Sequence, residues 1–294
     1  MRSRIFVAAA VALALAGTAS ADDFGPQAAP AAAQAFQVGK LPLWTLQSAH
    51  YVVANDGKTF GVDADPAQVA KVLQAAGAPT DHISLSVDGL LVKDRDRLLL
   101  IDVGLPEAYH GGIVASLKQA GFEPAAVTDV LITHPHMDHV GGLVTAAGKP
   151  AFPNAAVRLP VADWEYLQQQ SPDLAKVIAA QVKTFEPGAT LAPGVKAVPL
   201  PGHTPGHTGY LVVSGKSRLL DIGDLAHSSI VSLAKPRWTV GFDNDAKVAK
   251  ATRLRELAAL AKSGELVFAP HFPFPGLGHI KAAGDGFSWE PVTP

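Results

Sequence analysis

The chain has 294 residues, a net charge of −2 with histidine neutral, and no cysteine. This length allows one sizeable hydrophobic core, and the lack of cysteine excludes both a disulfide framework and thiolate metal sites. The nearly balanced, slightly acidic charge offers no broad basic surface for nucleic acid, so a small or neutral partner is expected.

The first 21 residues predict a secretory signal peptide. Arg2 and Arg4 precede the apolar run Ile5–Ala16, and Ala19-Ser20-Ala21 supplies small residues for cleavage after Ala21. The apolar run is too short to span a bilayer, which needs about 20 residues, and no later segment is longer. The mature protein is therefore expected to be exported, periplasmic or secreted, without a membrane span.

Residues 22–40 are rich in Ala, Pro and Gln and predict a flexible lead-in. From residue 41 onward, short strand-like runs alternate with helical patterns, which predicts a single α/β domain over residues 41–294. Helices are expected from Asp65 to Gly77, from 113 to 120, and from 245 to 263.

Two similar segments, residues 89–104 and 209–223, each predict a hairpin of apolar strands. In both, the second strand ends at an aspartate followed by an apolar residue and a glycine, Asp102-Val103-Gly104 and Asp221-Ile222-Gly223. Short apolar hairpins can resemble one another by chance, so the similarity alone does not decide whether the fold is duplicated.

Four metal-binding side chains lie within the six residues His134-Pro135-His136-Met137-Asp138-His139, directly after the apolar run Val130-Leu131-Ile132. Imidazole and carboxylate are ligands that zinc and similar ions accept. In an extended segment, residues two apart point the same way, so His134 and His136 can bind one ion. Asp138 and His139 are then offset toward a second ion.

The HxHxDH pattern resembles that of metallo-β-lactamase-fold hydrolases, and three later segments match the same family in the expected order. These are Pro201–His207, Asp221–Asp224 and Pro270–Pro273, and the resemblance covers roughly residues 85–280. Segments 223–227, 271–279 and 289–293 further resemble the methyl parathion hydrolase branch of this family. The resemblance implies an αββα sandwich with a metal site at one edge, on loops that follow strands.

The resemblance also implies which residues bind two divalent metal ions, most simply Zn²⁺. His134, His136 and His203 would hold the first ion, Asp138, His139 and His271 would hold the second, and Asp224 would bridge both. Each site then leaves room for a ligand from outside the protein, which is typical of a catalytic centre. The expected nucleophile is a hydroxide bridging the two metals, with Asp138 and Asp224 as the catalytic carboxylates.

Such a centre could hydrolyse several kinds of bond. We expect a neutral, partly apolar ester-type substrate, namely a lactone, an aryl ester or an organophosphate triester. A metallo-β-lactamase and a glyoxalase II-like thioesterase remain alternatives, although β-lactamases of this fold either use a cysteine ligand or lack the bridging aspartate. From another class, a non-catalytic metal-binding protein remains open, but that role would not explain open coordination positions. The sequence also permits a homodimer without deciding it.

The remaining candidates surround the proposed ligands. Asp102 is expected to orient a ligand imidazole, whereas His207 and His279 are expected to support the site without binding metal. His227 could face the pocket or close a turn. His50, His82 and His110 lie outside every motif and are predicted to be surface or packing residues. The predicted apolar pocket wall comprises Trp164, Tyr166, Trp238, Phe272 and Phe274.

Overall fold

The computed structural model describes residues 24–293, so the predicted signal peptide lies outside the described part and stays a prediction. In this described part, fourteen strands form two sheets of seven strands each. The first sheet contains, in spatial order, β1 (Gly25–Val38), β2 (Leu41–Ala54), β3 (His82–Asp94), β4 (Arg97–Ile101), β5 (Asp129–Leu131), β6 (Ala156–Pro160) and β7 (Val182–Phe185). The second contains β14 (Gly286–Pro291), β13 (Leu277–Ala283), β12 (Leu266–Phe268), β11 (Ser217–Asp221), β10 (Thr208–Ser214), β9 (Val195–Pro199) and β8 (Thr190–Ala192).

Within residues 24–293, seven α-helices accompany the sheets. They are α1 (Pro66–Ala75), α2 (Ile113–Gln119), α3 (Met137–Val140), α4 (Val161–Gln170), α5 (Pro172–Ile178), α6 (Val231–Ala234) and α7 (Ala246–Ser263). The three predicted helices correspond to α1, α2 and α7. Asp65 begins α1 in a capping box with Gln68, and Asp245 begins α7 by accepting hydrogen bonds from Lys247 N and Val248 N.

The main core lies between the two sheets, and further apolar clusters lie under the helices on both outer faces. Strand β4 shows why: Leu99 and Ile101 face the inter-sheet core, while Leu98 and Leu100 face the cluster that α2, α4 and α5 cover. A strand covered on both faces is apolar along its whole length. On the far side of the second sheet, Leu257 of α7 packs in a third cluster. This arrangement confirms the predicted αββα sandwich.

Both predicted hairpins are present and occupy matching positions. Strands β3 and β4 pair with Asp94 opposite Arg97, and strands β10 and β11 pair with Ser214 opposite Ser217. In each half, the second strand of the hairpin then pairs with a parallel neighbour, β5 or β12. Parallel strands end at the same edge of a sheet, so the loops after β5 and β12 emerge together with those after β4 and β11.

The prediction of a flexible lead-in over residues 22–40 is wrong for residues 25–38. Residues Gly25–Val38 form edge strand β1, which pairs with β2 along its length and is tied to α2 by a hydrogen bond from Ala32 N to Ser116 Oγ. The pairing register shifts between Ala28 and Ala32, where Pro30 lies. An edge strand needs only half of its backbone donors, so a proline-containing segment without strong apolar alternation can still pair.

Among residues 24–293, none of the helices combines the length and the apolar character needed to cross a bilayer.

Candidate metal centre

Seven predicted ligands meet at one edge of the sandwich, on loops that follow strands. His134 and His136 follow β5, and α3 then carries Asp138 and His139. The other three come from the second sheet: His203 lies between β9 and β10, Asp224 follows β11, and His271 follows β12. The structure therefore brings together every residue that the sequence placed in the centre.

The first cluster consists of three converging imidazoles. The Nε2 atoms of His134 and His203 lie 3.2 Å apart, and Nδ1 of His136 lies 3.1 Å from the first and 2.9 Å from the second. The fourth atom is Oδ2 of Asp224, 3.5 Å from His134 Nε2 and 3.2 Å from His203 Nε2. Zn–N bonds of about 2.0–2.1 Å in a tetrahedron place ligand atoms roughly 3.3–3.4 Å apart, so these donors fit a zinc-sized ion.

The second cluster lies on the other side of the same aspartate. The Nε2 atoms of His139 and His271 lie 3.3 Å apart, and Oδ2 of Asp138 lies 3.7 Å and 3.5 Å from them. Oδ1 of Asp224 lies 3.2 Å from His139 Nε2 and 3.1 Å from His271 Nε2. Asp224 therefore presents one oxygen to each cluster, as a carboxylate bridging two cations would.

Polar atoms without partners also indicate that the centre is built for cations. Oδ1 of Asp224 is buried and accepts no hydrogen bond. Burying an unpaired carboxylate oxygen is costly unless a charged group satisfies it. All the donors are nitrogen and oxygen atoms of the kind that divalent transition metals accept, so the residues present fit two metal ions.

The outer nitrogens of three of the clustered histidines face acceptors, which directs their inner nitrogens to the centre. Nδ1 of His139 donates to Oδ2 of Asp102 over 2.7 Å, and Nδ1 of His271 donates to the carbonyl oxygen of Ser86 over 2.7 Å. Nδ1 of His203 lies 3.1 Å from Oδ1 of Asp243. A hydrogen bond on one ring nitrogen leaves the lone pair of the other free for a metal.

Asp102 holds His139 in the way that the sequence predicted, and it also binds the strand end that precedes the motif. Its Oδ1 accepts from Thr133 N over 2.8 Å, and its Oδ2 accepts from Thr133 Oγ1 over 2.6 Å. Asp102 has φ = 57°, a left-handed conformation that is uncommon outside glycine and asparagine. The two hydrogen bonds from Thr133 and the one from His139 compensate for this strain.

Two supporting residues were missed by the sequence analysis. Asp243 precedes α7 and looks like a helix-capping residue, but its Oδ2 accepts from Nη2 of the buried Arg253 over 2.8 Å while its Oδ1 faces His203. Arg253 also donates to the carbonyl oxygen of Leu225 over 2.8 Å. One feature of the sequence could have revealed this pair: Arg253 lies on the apolar stripe of α7, four residues before Leu257. An arginine on a buried face requires a buried acceptor.

Burial and neighbouring charges shift the pKa values of the clustered residues in opposite directions. Burial alone would lower the pKa of His271, but the carboxylates of Asp224 and Asp138 outweigh burial and raise that pKa to about 9. Burial would raise the pKa of Asp224, but the surrounding imidazoles, His271 and His139 foremost, hold it well below its usual range. Asp224 is therefore an anion at the centre of a ring of cation-binding groups.

The other histidines separate into supporting and peripheral groups. His207 is buried; its Nδ1 donates to Leu200 O over 2.8 Å, and its Nε2 accepts from Asp224 N over 3.0 Å. It thus fixes the backbone of the bridging residue. His279 bonds to Glu265 O, away from the centre. His82 pairs with Asp81 at the surface.

A cavity of about 290 Å³ opens onto the centre. Its floor contains four of the clustered residues, and its walls are mainly apolar. The lining residues are Tyr51, Leu85, Leu105, His136, Met137, Asp138, Asp224, His227, Phe242 and His271. Lysine and arginine are absent from this lining, so the cavity suits a neutral substrate.

The five aromatic residues predicted to form the pocket wall do not line this cavity. Phe272 is fully buried and packs edge-on against Trp289 with a ring separation of 4.9 Å. Trp164 and Trp238 pack against apolar clusters elsewhere. Residues 270–275 form turns after β12, in which Phe272 N donates to Ala269 O, and Phe272 packs in the third apolar cluster while His271 faces the centre.

The family comparison assigns this fold and site to a protein class. The model of the Metallo-beta-lactamase superfamily matches residues 85–271, which includes all seven clustered residues. The chain belongs to this superfamily, and the prediction of a metal-dependent hydrolase is confirmed at that level.

The particular proteins that the chain resembles are mainly lactonases. An N-acyl homoserine lactonase of Bacillus cereus is 26% identical over 217 residues, which cover 66% of this chain and 84% of the relative. The structure of AidC, described as a dizinc quorum-quenching lactonase with a bound product, matches with a TM-score of 0.84 and 28% identity, covering 90% of this chain and 98% of AidC. The hydrolase AbOPH matches with a TM-score of 0.82 and 29% identity, covering 90% and 99%.

Proposed function

We propose that the protein is a dizinc lactonase that opens the ring of neutral lactones carrying an apolar acyl chain, of the N-acyl homoserine lactone type. The observation that carries this proposal is the two-cluster centre on the floor of a cavity whose walls are mainly apolar and contain no lysine or arginine. The relatives named as lactonases support the same substrate class.

The clustered residues have distinct roles in this proposal. His134, His136 and His203 would hold one ion, Asp138, His139 and His271 the other, and Asp224 both. Two divalent ions, when bound, activate water and polarise the carbonyl group under attack. The ligands from both halves of the sandwich set the separation of the two sites and leave the cavity side open to substrate.

The cavity walls position the substrate. Leu85, Leu105 and Phe242 provide apolar surface for an acyl chain and exclude water from the carbonyl carbon. Asp138 has a side-chain exposure of 25%, against 3% for Asp224, so it is the floor carboxylate most open to the cavity. In this proposal, Asp138 exchanges a proton with the ring oxygen as that oxygen leaves.

Aryl esters and organophosphate triesters are the next candidate substrates. Tyr51 and Phe242 in the cavity wall provide aromatic surface for an aryl group. Nitrophenolate and similar leaving groups also depart without protonation, so these substrates would depend less on Asp138.

A substrate panel tests the proposal. Zinc-loaded protein would be assayed with N-hexanoyl and N-decanoyl homoserine lactones, p-nitrophenyl acetate, methyl parathion, a cephalosporin and a glutathione thioester. We expect the highest kcat/KM for a lactone. Preferential turnover of the cephalosporin, or activity on the thioester alone, would contradict the proposal and favour a β-lactamase or a glyoxalase II-like enzyme.

Variants of the centre test whether the protein is an enzyme or only binds metal. His136→Ala and Asp138→Asn should each remove nearly all hydrolysis, because each deletes a donor from the centre. His50→Ala, a change on strand β2 outside both clusters, should retain wild-type rates. Wild-type rates in the first two variants would exclude the proposed catalytic centre.

A further inference from the structure

His227 is a buried histidine whose two ring nitrogens both lack a hydrogen-bond partner. Its Nε2 lies 3.1 Å from Oδ2 of Asp224, but the two groups are not aligned for a hydrogen bond. A buried N–H without an acceptor destabilises the folded state, so such a group requires an explanation. His207 shows the contrast, because it is equally buried beside the same aspartate and both of its nitrogens are satisfied.

The ring of His227 is held in place by packing and lines the substrate cavity. It stacks on His271 at a centroid distance of 5.6 Å with an interplanar angle of 6°, and meets His203 edge-on at 4.9 Å. Phe242 covers it at 5.8 Å and Phe60 at 6.3 Å. The nitrogens cannot easily turn toward another protein group, so the missing partner is expected to come from the cavity.

The position of His227 relative to Asp224 indicates what that partner is. Oδ2 of Asp224, which lies beside His227 Nε2, faces the first cluster, whereas Asp138 lies on the side of the second cluster. A substrate carbonyl above Asp224 would therefore have Asp138 on one side and the imidazole on the other. Asp138 is the carboxylate proposed for the leaving oxygen, so the imidazole N–H is available to the carbonyl oxygen.

We propose that His227 donates a hydrogen bond to the carbonyl oxygen of the scissile ester and stabilises the negative charge that develops there; this inference rests on the proposed lactonase function. Water adds to the carbonyl carbon, and the π electron pair moves to the carbonyl oxygen. The bond to the ring oxygen then breaks, and the proton released by the water goes to that oxygen. The proton of His227 stays on the imidazole throughout.

The competing role is an eighth metal ligand in the first cluster, since Nε2 is near Asp224. The two roles differ in what they require of the side chain. A ligand needs a free lone pair, and its loss lowers metal content. A hydrogen-bond donor needs only an N–H, which glutamine can also provide, and its loss leaves both ions in place.

The experiment compares His227→Phe, which keeps the stacking ring, with His227→Gln, which keeps an N–H donor. On an N-acyl homoserine lactone, His227→Phe should lower kcat by about 10²–10³-fold, the usual cost of losing one oxyanion donor, with a smaller change in KM. His227→Gln should recover part of that loss. The matched control is His82→Phe, a surface histidine outside the cavity, which should behave as wild type.

A binding measurement provides a readout besides activity. A phosphonate analogue, whose phosphoryl oxygen mimics the oxyanion, should bind His227→Phe more weakly by a factor similar to the loss in kcat, while each variant retains two ions per chain. Unchanged kcat and unchanged analogue binding in His227→Phe would overturn the inference, and so would the loss of an ion. Failure of the wild-type protein to hydrolyse any lactone would instead refute the proposed function.

Discussion

At the scale of single residues, three of the clustered histidines are oriented by an acceptor on the side of the ring that faces away from the centre. Asp102, the Ser86 carbonyl group and Asp243 fix the outer nitrogens of His139, His271 and His203. These acceptors determine which ring nitrogen faces the centre and raise its basicity. Metal affinity should therefore depend on residues that touch no metal.

Asp102→Asn tests this dependence. Asparagine tolerates the left-handed backbone conformation at this position, so the change removes mainly the negative charge that faces His139. We expect the affinity of the second cluster for zinc to fall about 10–100-fold, as measured by competition with a chromophoric chelator. Asp96→Asn, in the exposed turn between β3 and β4, is the matched control, and an equal effect there would refute the assigned role.

Zinc affinity should also depend on pH. In the metal-free protein, the pKa of His271 is raised to about 9 by Asp224 and Asp138 against the effect of burial, so a proton competes with zinc below that pH. Affinity should rise about tenfold per pH unit for each displaced proton and level off above about pH 9. Titrations between about pH 6 and pH 10 would measure the slope, which His271→Gln should reduce.

The same raised pKa has a consequence for the metal-free fold. His271 titrates near 6.5 when unfolded, so its contribution to stability is fully present below about pH 6.5 and is lost as pH rises through about 9. Metal binding reverses this trend, because the ions bind the neutral imidazole.

At the scale of elements, the loop between β9 and β10 positions His203 through contacts with two helices. At the start of α7, Asn244 N donates to His203 O and Asp245 N donates to Gly202 O. On α4, Asp163 accepts from Thr204 Oγ1 over 2.9 Å and from Gly206 N over 2.7 Å. This loop has no regular structure of its own, so the helices determine its shape.

Gly202→Ala should disturb this loop more than an equivalent change elsewhere. Gly202 has φ = 127°, and a Cβ atom there would overlap the backbone of Ala249 in α7. Gly215, in the β10–β11 turn, has φ = 64° and open space around the Cβ position, so Gly215→Ala carries only the cost of the left-handed conformation, about 1 kcal/mol. Gly202→Ala should cost about 1–3 kcal/mol more in urea unfolding and should weaken zinc binding. Equal losses in the two variants would contradict this account.

At the scale of the whole molecule, the centre joins the two halves of the sandwich. Four clustered residues come from the segment after β5 in the first sheet, and three come from loops of the second sheet. Ions bound there would link the sheets at one edge, while the apolar core links them in the interior. Metal binding to the folded state alone adds to its stability by mass action.

Chelation should therefore lower the melting temperature without abolishing the fold. Zinc at about 100 times its Kd stabilises the folded state by about 2.7 kcal/mol per site, which corresponds to roughly 5–10 °C for a domain of this size. Calorimetry with and without a chelator measures the shift. In Asp224→Asn, which lacks the bridging charge, the chelator should have a much smaller effect; an equally large shift would indicate stabilisation by metal at another site.

Much of this protein is determined by short-range features of the sequence. The helices α1 and α7 begin at capping aspartates, Asp65 and Asp245, and strand β4 is apolar on both faces. The compact motif indicated a metal site through the spacing of its donors, and the family resemblance of three later segments implied the other proposed ligands. Local rules of this kind can be applied without knowing which elements meet.

Other features were decided only by tertiary structure. Residues 25–38 form a strand because the edge of β2 was available. The apolar part of the cavity wall consists of Tyr51, Leu85, Leu105, Met137 and Phe242 because two strands, two loops and helix α3 meet there. Arg253 is buried because Asp243 and three carbonyl groups surround it. Each of these outcomes depends on contacts between residues distant in the chain, and the free energy of such contacts is absent from any local pattern.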